Sequence, residues 1–327
     1  MNILAQTFPD FSASVKMQQG TGSAAAATLY RDFFKNGTAS PEAMAYLQLP
    51  DCKIVARENA DVLKFASRLG DGNIIESVII PGKGRTTLCV SSQVGCKMGC
   101  AFCATGAGGF VRDCTAEEIV WQAFAARFEL RHAIDNIVFM GMGEPLDNFD
   151  NVMQAVRVLC DQRGLNIPQS RITISTAGHV EGINRLAAPG MPKVRLALSL
   201  NAPTDAVRSE IMPLNRKYPL RALRKALRSF PLGKGGLFFV EYVLIAGVND
   251  SAEMAASLAE FLAGLPVRVN LIACNRNDSL PFGPPEMDQV KRFRDRLVRE
   301  KLFVRVRQSQ GLGIRAACGQ LRASLRV

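Results

Sequence analysis

The sequence predicts an α/β fold, a parallel sheet of six or so β/α units preceded by a small, mostly helical N-terminal accessory region. Three observations carry this prediction. Beyond about residue 70, short apolar runs alternate with longer stretches of helical periodicity, the pattern of strands paired in parallel and covered by helices. Polar, glycine-containing motifs recur at or just after the ends of those runs, where ligands gather in open α/β sheets and in β/α barrels. The length, 327 residues, accommodates one large domain of the barrel type and little else.

The first seventy residues carry weak periodicity, with helical candidates at 25–34 and 41–47 and breaks at 18–27 and 35–41. Residues 1–70 are therefore read as the accessory region and 71–327 as the core. Strands are expected at 74–80 and 86–92, separated by the turn-forming Pro81-Gly82-Lys83-Gly84. Further strands are expected at 136–140, 171–175, 194–200, 237–245, 268–272 and 303–306. Helical patterns fill the intervals at 115–130, 149–160, 180–186, 220–229, 252–262 and 287–300. Thr115 is placed to cap the first of these, with Glu118 three residues on as its capping-box partner. Right-handed crossovers suit an open doubly wound sheet and a partial barrel equally. In either, Gly141-Met142-Gly143-Glu144-Pro145, Ser175-Thr176-Ala177-Gly178, Ser199-Leu200-Asn201 and Asn275 converge on one face.

Composition excludes several classes. Hydrophobic residues at 48% and charged residues at 21% describe a folded chain, not a disordered one. No apolar run is long enough to span a bilayer, and the first nineteen residues lack the pattern of a secretory signal, so a cytoplasmic protein is expected. The net charge is +11, concentrated in two stretches. Residues 291–327 hold eleven Lys/Arg against two acids, and residues 208–234 hold eight against one. Such stretches suit RNA phosphates, through counterion release, and equally suit solvated helix faces. Nine cysteines in a chain of this kind argue against a disulfide framework.

Three of those cysteines fall within eight residues. Cys96-x3-Cys100-x2-Cys103 follows the strand expected at 86–92, in a loop that contains Gly95 and Gly99. A loop can wrap three thiolates around a compact centre, whereas a strand sends alternate side chains to opposite faces. Thiolates favour zinc or iron–sulfur clusters. A structural zinc site needs four ligands, and His132 and His179, the two histidines, stand at no finger-like spacing. Cys89 or Cys114 would have to complete it. Three cysteines on a four-iron cube instead leave one iron open to an outside ligand. Three small buried thiols are the plainest alternative.

The triplet, with Phe102, resembles the cluster motif of the radical S-adenosylmethionine (SAM) superfamily. There the open iron takes the amino and carboxylate groups of SAM, and an electron from the [4Fe–4S] cluster cleaves the sulfonium to a 5′-deoxyadenosyl radical. The surroundings narrow the resemblance. Thr87-Leu-Cys-Val-Ser-Ser-Gln-Val-Gly-Cys96 and Cys100-Ala-Phe-Cys-Ala-Thr-Gly106 are similar to the RlmN/Cfr family of RNA adenosine methyltransferases. So are Phe139-Met-Gly-Met-Gly-Glu-Pro-Leu146, Ile174-Ser-Thr-Ala-Gly178, Leu196-Ala-Leu-Ser-Leu-Asn-Ala-Pro203 and Ala316-Ala-Cys-Gly-Gln-Leu321. The motifs occur in order over residues 65–327, as in a divergent RlmN-like member.

The resemblance implies a partial (β/α)6-type barrel and methylation of an adenine ring carbon, C2 or C8, in rRNA or tRNA. It implies that Cys96, Cys100 and Cys103 hold the cluster. Gly143, Glu144, Ser175, Ser199, Leu200, Asn201 and Asn275 would contact SAM. Cys318 matches the cysteine methylated on sulfur, whose methyl group the radical then activates for addition to the adenine. Cys89 matches the partner that attacks Cys318, forms a transient disulfide and releases the methylated RNA, after which reduction resets the pair. Glu76 matches the proton acceptor for the adenine ring proton. An electron donor such as flavodoxin or ferredoxin, no membrane partner and a monomeric state complete the expectation.

The sequence departs from the family at three places. Asn201 stands where histidine is common. The run Gln310-Gly-Leu-Gly-Ile-Arg315 has Gly313 in place of an acid and puts Arg315 near Cys318, where a cation would favour the thiolate. The N-terminal region is short. The altered run motivates a second reading, a radical SAM enzyme with another substrate. The basic stretches and the thiol loop motivate a third, a metal-stabilised RNA-binding protein. Cys52, Cys114, Cys160 and Cys274 match no chemical role and are read as small hydrophobes.

Overall fold

The computed structural model describes residues 1–19, 23–188, 190–191, 193–277 and 280–321; the expected break at 18–27 and the basic stretch to 327 lie partly outside them. Three helices open the chain: α1 (Phe8–Gln19), α2 (Ser23–Asn36) and α3 (Pro41–Met44). Four strands follow, β1 (Lys53–Asn59), β2 (Leu63–Arg68), β3 (Ile74–Gly82) and β4 (Arg85–Cys89). A small hairpin, β5 (Gln93–Gly95) with β6 (Phe110–Asp113), encloses the short α4 (Ala104–Ala107). The remainder alternates: α5 (Ala116–Phe124), β7 (Asn136–Phe139), α6 (Phe149–Cys160), β8 (Ile172–Thr176), α7 (Val180–Leu186) and β9 (Arg195–Ser199). Then come α8 (Asp205–Ile211), α9 (Leu220–Ser229), β10 (Phe238–Leu244), α10 (Ala252–Leu262), β11 (Val267–Ala273), α11 (Met287–Arg299) and β12 (Phe303–Arg307).

The main sheet runs β1-β2-β3-β4-β7-β8-β9-β10-β11-β12. Pairing is antiparallel from β1 to β4 and parallel from β4 to β12. From β4 onward, spatial order follows chain order without reversal, and this decides between the two architectures left open. A doubly wound sheet reverses at a switch point. Crossovers of one hand without a reversal leave every helix on one face, which is a partial barrel. Six helical crossovers join these strands, and β1 and β12 remain as the two edges.

Local chemistry accounts for the elements. β8 and β10 are almost wholly buried, as parallel strands covered on both faces must be. α9 buries Leu220, Leu223 and Leu227, and α11 buries Val290, Phe293 and Leu297, in each case at i, i+3 and i+7. Both bonds of the Thr115–Glu118 capping box are present at the start of α5. The helix expected over 115–130 is α only to Phe124, and a π turn (Ala125–Glu129) ends it.

The N-terminal helices cover α5 and α6. The Phe33 ring stacks on Phe124 at 5.1 Å, Gln154 donates to the Ala5 carbonyl at 2.8 Å, and the Phe8 amide donates to Asp161 at 2.6 Å. One apolar core runs through these helices and the sheet. The accessory region is helical only in its first part. β1 and β2, which were not expected, extend the sheet beyond β3. They escaped because Lys64 is buried in β2, paired with Glu58 at 2.9 Å and Glu76 at 3.7 Å, so neither face reads as cleanly apolar. No helix among the described residues is long and apolar enough to cross a membrane.

Candidate active site

The cysteine loop hangs from the β5–β6 hairpin. The Cys96 amide donates to the Gly109 carbonyl at 2.7 Å. Gly95 sits at φ +77°, and a Cβ there would lie 2.1 Å from the same carbonyl, so only glycine closes the loop's base. Cys96, Cys100 and Cys103 all line a single cavity at the C-terminal ends of the strands. Burial pushes the Cys96 thiol up to about 12 and Cys100 well above the ordinary thiol range, and each lies within the field of Cys103. Among the described residues no three His, Cys, Asp or Glu side chains converge as ligands of a single metal ion. A cluster, several atoms across, holds its thiolates farther apart than one ion does. Three thiols around an open cavity therefore fit a cube with one iron left for another ligand. Cys114 does not join them. It is buried beside Cys52 and Glu118.

Gln93 and Asp147 lock this loop to the Gly-Met-Gly-Glu-Pro turn. Gln93 accepts from the Glu144 amide at 2.9 Å and donates to Asp113 at 2.8 Å and Asp147 at 3.0 Å. Lys97, one residue past the first cysteine, pairs with Asp147 at 2.6 Å. Gly143, at φ +101°, packs so closely that a Cβ would lie 2.6 Å from Gln93 Cβ. Glu144 is buried and accepts from the amides of Ala177 at 2.7 Å and Leu146 at 3.2 Å. Burial raises its carboxyl to about 7; the bonds to Ala177, Thr176 and Leu146 oppose the shift and Asp147 adds to it.

Ser175 and Ser199, at the ends of β8 and β9, stand with their hydroxyls 3.4 Å apart on the same cavity wall. Leu200 is fully buried and is not among the lining residues; its carbonyl accepts from Arg208 at 2.9 Å. Asn201 lines the cavity, but its amide serves the fold. Its oxygen accepts from the Val243 amide at 2.9 Å and its nitrogen meets Met212 Sδ at 3.3 Å. Its φ of +57° is one that asparagine tolerates. Arg208, counted above among the phosphate-facing cations, is wholly buried. It bonds the carbonyls of Leu200 and Ala177 and the side chain of Asn215, tying together the ends of β8 and β9. Only burial distinguishes it from a surface arginine, and the sequence carries no signal of that.

Cys318 enters the same cavity from a segment that follows β12. The Asn275 amide donates to the Cys318 carbonyl at 3.0 Å, the Ala104 amide to Gly319 at 2.7 Å, and Thr105 to the Leu321 carbonyl at 2.5 Å. Farther back, the Gly311 amide donates to both oxygens of Asp61, at 2.9 and 3.1 Å, in the β1–β2 turn. The Cys318 thiol is open to the cavity yet surrounded by protein, and burial raises its pKa. Arg307 opposes this, while Glu241 and Cys103 reinforce it. The cation that acts most on the thiol is Arg307, and it does not overcome burial. Glu241 accepts from Asn270 at 2.7 Å and lies 3.9 Å from Arg307.

Cys89 ends β4, buried, and burial and then Cys318 push its thiol up to about 12. The two thiols therefore lie within each other's field. Val78 pairs with Cys89 across β3–β4, so Glu76 points to the same face as Cys89. Neither Glu76 nor Cys89 is among the residues lining the cavity, and Lys64 stands 3.7 Å from the Glu76 carboxylate. Cys274, read above as a mere hydrophobe, is buried and lines the cavity.

Comparisons with known proteins agree with this geometry. The Radical SAM superfamily matches residues 90–259. A probable dual-specificity RNA methyltransferase RlmN 1 of Protochlamydia amoebophila is 40% identical over 98% of this chain and 94% of its own length. The chain belongs to the RlmN family of radical SAM methyltransferases. The RlmN of Geobacter sulfurreducens is 46% identical over 80% of this chain and 72% of its own. A radical SAM methyltransferase from Sphaerobacter thermophilus superimposes with a TM-score of 0.92 at 39% identity, covering 99% of this chain and 100% of that one. That agreement runs through the N-terminal helices as well as the barrel. Family membership brings a [4Fe–4S] cluster and SAM as the cofactors of the site.

Proposed function

We propose that this protein methylates an adenine ring carbon, C2 or C8, in rRNA or tRNA through an S-methyl group carried on Cys318. The observation that carries the reading is one cavity lined by the three loop cysteines and a fourth, Cys318, within the field of Cys89. Cys96, Cys100 and Cys103 would hold the cluster. When bound, it supplies the electron that cleaves SAM to the radical which takes hydrogen from the S-methyl group. Gly143, Glu144, Ser175, Ser199, Asn201 and Asn275 form the surroundings in which SAM is held, with Leu200 buried behind that wall.

Cys318 acts first as a nucleophile. Its sulfur forms a bond to the sulfonium methyl carbon as the bond to the departing thioether breaks. After hydrogen removal, the same carbon bonds to the adenine ring; the ring then gives up one electron, which the oxidised cluster would take back, and its ring proton, which Glu76 accepts. Cys89 sulfur then attacks Cys318 sulfur. The S–S bond forms, the sulfur–carbon bond breaks, and the released carbon is protonated to a methyl group. Glu76 and Cys89 sharing one face of adjacent strands supports this division of labour. Flavodoxin or ferredoxin would deliver the electron, the cytoplasm is the expected location and a monomer the expected state.

The test is anaerobic reconstitution followed by RNA methylation. Wild type should transfer methyl groups to adenosine, and full methylation by Cys318→Ala would overturn the mechanism. RNA from a deletion strain, digested and analysed by mass spectrometry, identifies the modified carbon and the RNA class.

A further inference from the structure

The inward face of the sheet carries an arrangement that the chemistry above does not use. Arg195, Phe239, Arg268 and Phe303 stand on β9, β10, β11 and β12. The register pairs Phe239 with Arg268 and Arg268 with Phe303, and pairs Phe239 with Ala197, two residues beyond Arg195. All four therefore share the face that bears Ser199 and Glu241. The Arg195 guanidinium lies 5.9 Å from the centre of the Phe239 ring, and that of Arg268 lies 4.7 Å from the Phe303 ring. Cation and ring alternate across four strands.

A barrel interior is ordinarily filled by branched aliphatic side chains. Here the edge strand presents Phe303, 54% exposed, and then Arg305 and Arg307 on the same face, both exposed. At about 3.3 Å per residue, the stripe rises roughly 13 Å from Phe303 to Arg307. It ends at Arg307, which lies 3.9 Å from Glu241 in the wall of the cavity that Cys318 also lines. Among the described residues the buried Arg268 Nε has no hydrogen-bond partner, so that N–H is not used within them. Cations alone would suit any polyanion. Rings interleaved with them suit one whose units have flat faces, because bases stack on aromatic side chains while phosphates pair with arginine.

We infer that this ladder is the track on which a single-stranded segment of the RNA lies, with a base stacked on Phe303 and phosphates against Arg268 and Arg305. The inference rests on the RNA-methyltransferase reading and gives it a surface. The track leads the strand along the open edge of the barrel to the methyl carrier.

Binding of a short RNA stem–loop with unpaired adenosines to the reconstituted full chain, titrated with salt, tests this. Phe303→Leu keeps the apolar bulk and removes the ring; affinity should fall roughly five- to hundredfold. Phe303→Trp should retain wild-type affinity. Arg305→Gln should lower the slope of log K against log salt by about 0.7, the contribution of one phosphate on a single strand. Lys291→Gln, on the opposite side of α11, should change the affinity little. If wild type binds and methylates RNA while Phe303→Leu and Arg305→Gln bind as wild type does, or lose no more than Lys291→Gln, the track is wrong and the methyltransferase reading stands. If wild type neither binds nor methylates RNA, both fall.

Discussion

The loop that carries Cys96, Cys100 and Cys103 is closed at its base by strand pairing, by a glycine that admits no side chain, and by the Gln93–Asp147 brace. Among the described residues, the segment that carries Cys318 has no strand partner. One short 3-10 turn, Leu312–Ile314, is its regular structure, and it is held by the Gly311 amide donating to Asp61 and by hydrogen bonds from Asn275, Ala104 and Thr105. The difference suits the roles proposed for the two thiol sets. Cluster ligands serve by staying fixed. A methyl carrier has to meet the sulfonium, then the adenine, then Cys89 sulfur, and a segment held by separate polar contacts can shift without unravelling a sheet.

The sharpest way to break this comparison is Cys96→Ala. Iron and sulfide content, and 5′-deoxyadenosine production from SAM, should both fall to background; a retained brown chromophore would contradict the assignment. Cys318→Ala should abolish RNA methylation but leave the iron content at the wild-type level, which separates the two regions in one protein. Cys89→Ala should trap RNA covalently on the protein, visible as a slow band on a denaturing gel; free methylated RNA at the wild-type rate would argue against its role.

Asp61→Ala removes the carboxylate that receives Gly311. A charge-assisted bond of this kind contributes about 1.5–3 kcal/mol. Turnover should therefore drop roughly tenfold or more with the cluster unchanged, and loss of iron would show that the two regions are not independent. On the cofactor side, the Glu144 carboxyl sits near 7, above its ordinary value. Below that pH it is protonated; above it, it is ionised and would accept a stronger hydrogen bond from the SAM amino group. Affinity for SAM should thus rise about tenfold from pH 6 to 8 and flatten in Glu144→Gln. The smallest effect is expected from Thr115→Ala, which removes the α5 cap and should lower stability by about 1 kcal/mol in urea without favouring either region.

Sequence spacing made the cysteine triplet legible, and the resemblance to the family singled out the Gly-Met-Gly-Glu-Pro turn and Cys318; the structure brings all three to one cavity. The helices over Phe149–Cys160, Val180–Leu186 and Leu220–Ser229 were equally plain from their periodicity. What escaped depends on contacts between distant residues. The β1–β2 hairpin was hidden by Lys64, a charge buried only because Glu58 and Glu76 meet it. Arg208 looked like surface charge because nothing local reveals the backbone carbonyls that enclose it. Partial barrel and doubly wound sheet share one element order, and only the pairing order distinguishes them.

The Asp61–Gly311 contact joins residues 250 positions apart, and Thr105 meets Leu321 across 216. Domains tend to fold as the chain emerges during synthesis. The Gln93 brace of the cysteine loop involves residues 93–147, all made before most of the barrel. Cys318 reaches its place only after β12 has been added and the β1–β2 turn is waiting for it. On the proposed roles, a nascent chain thus carries the three loop cysteines and their brace well before it carries Cys318, and assembly of the site would have a built-in order.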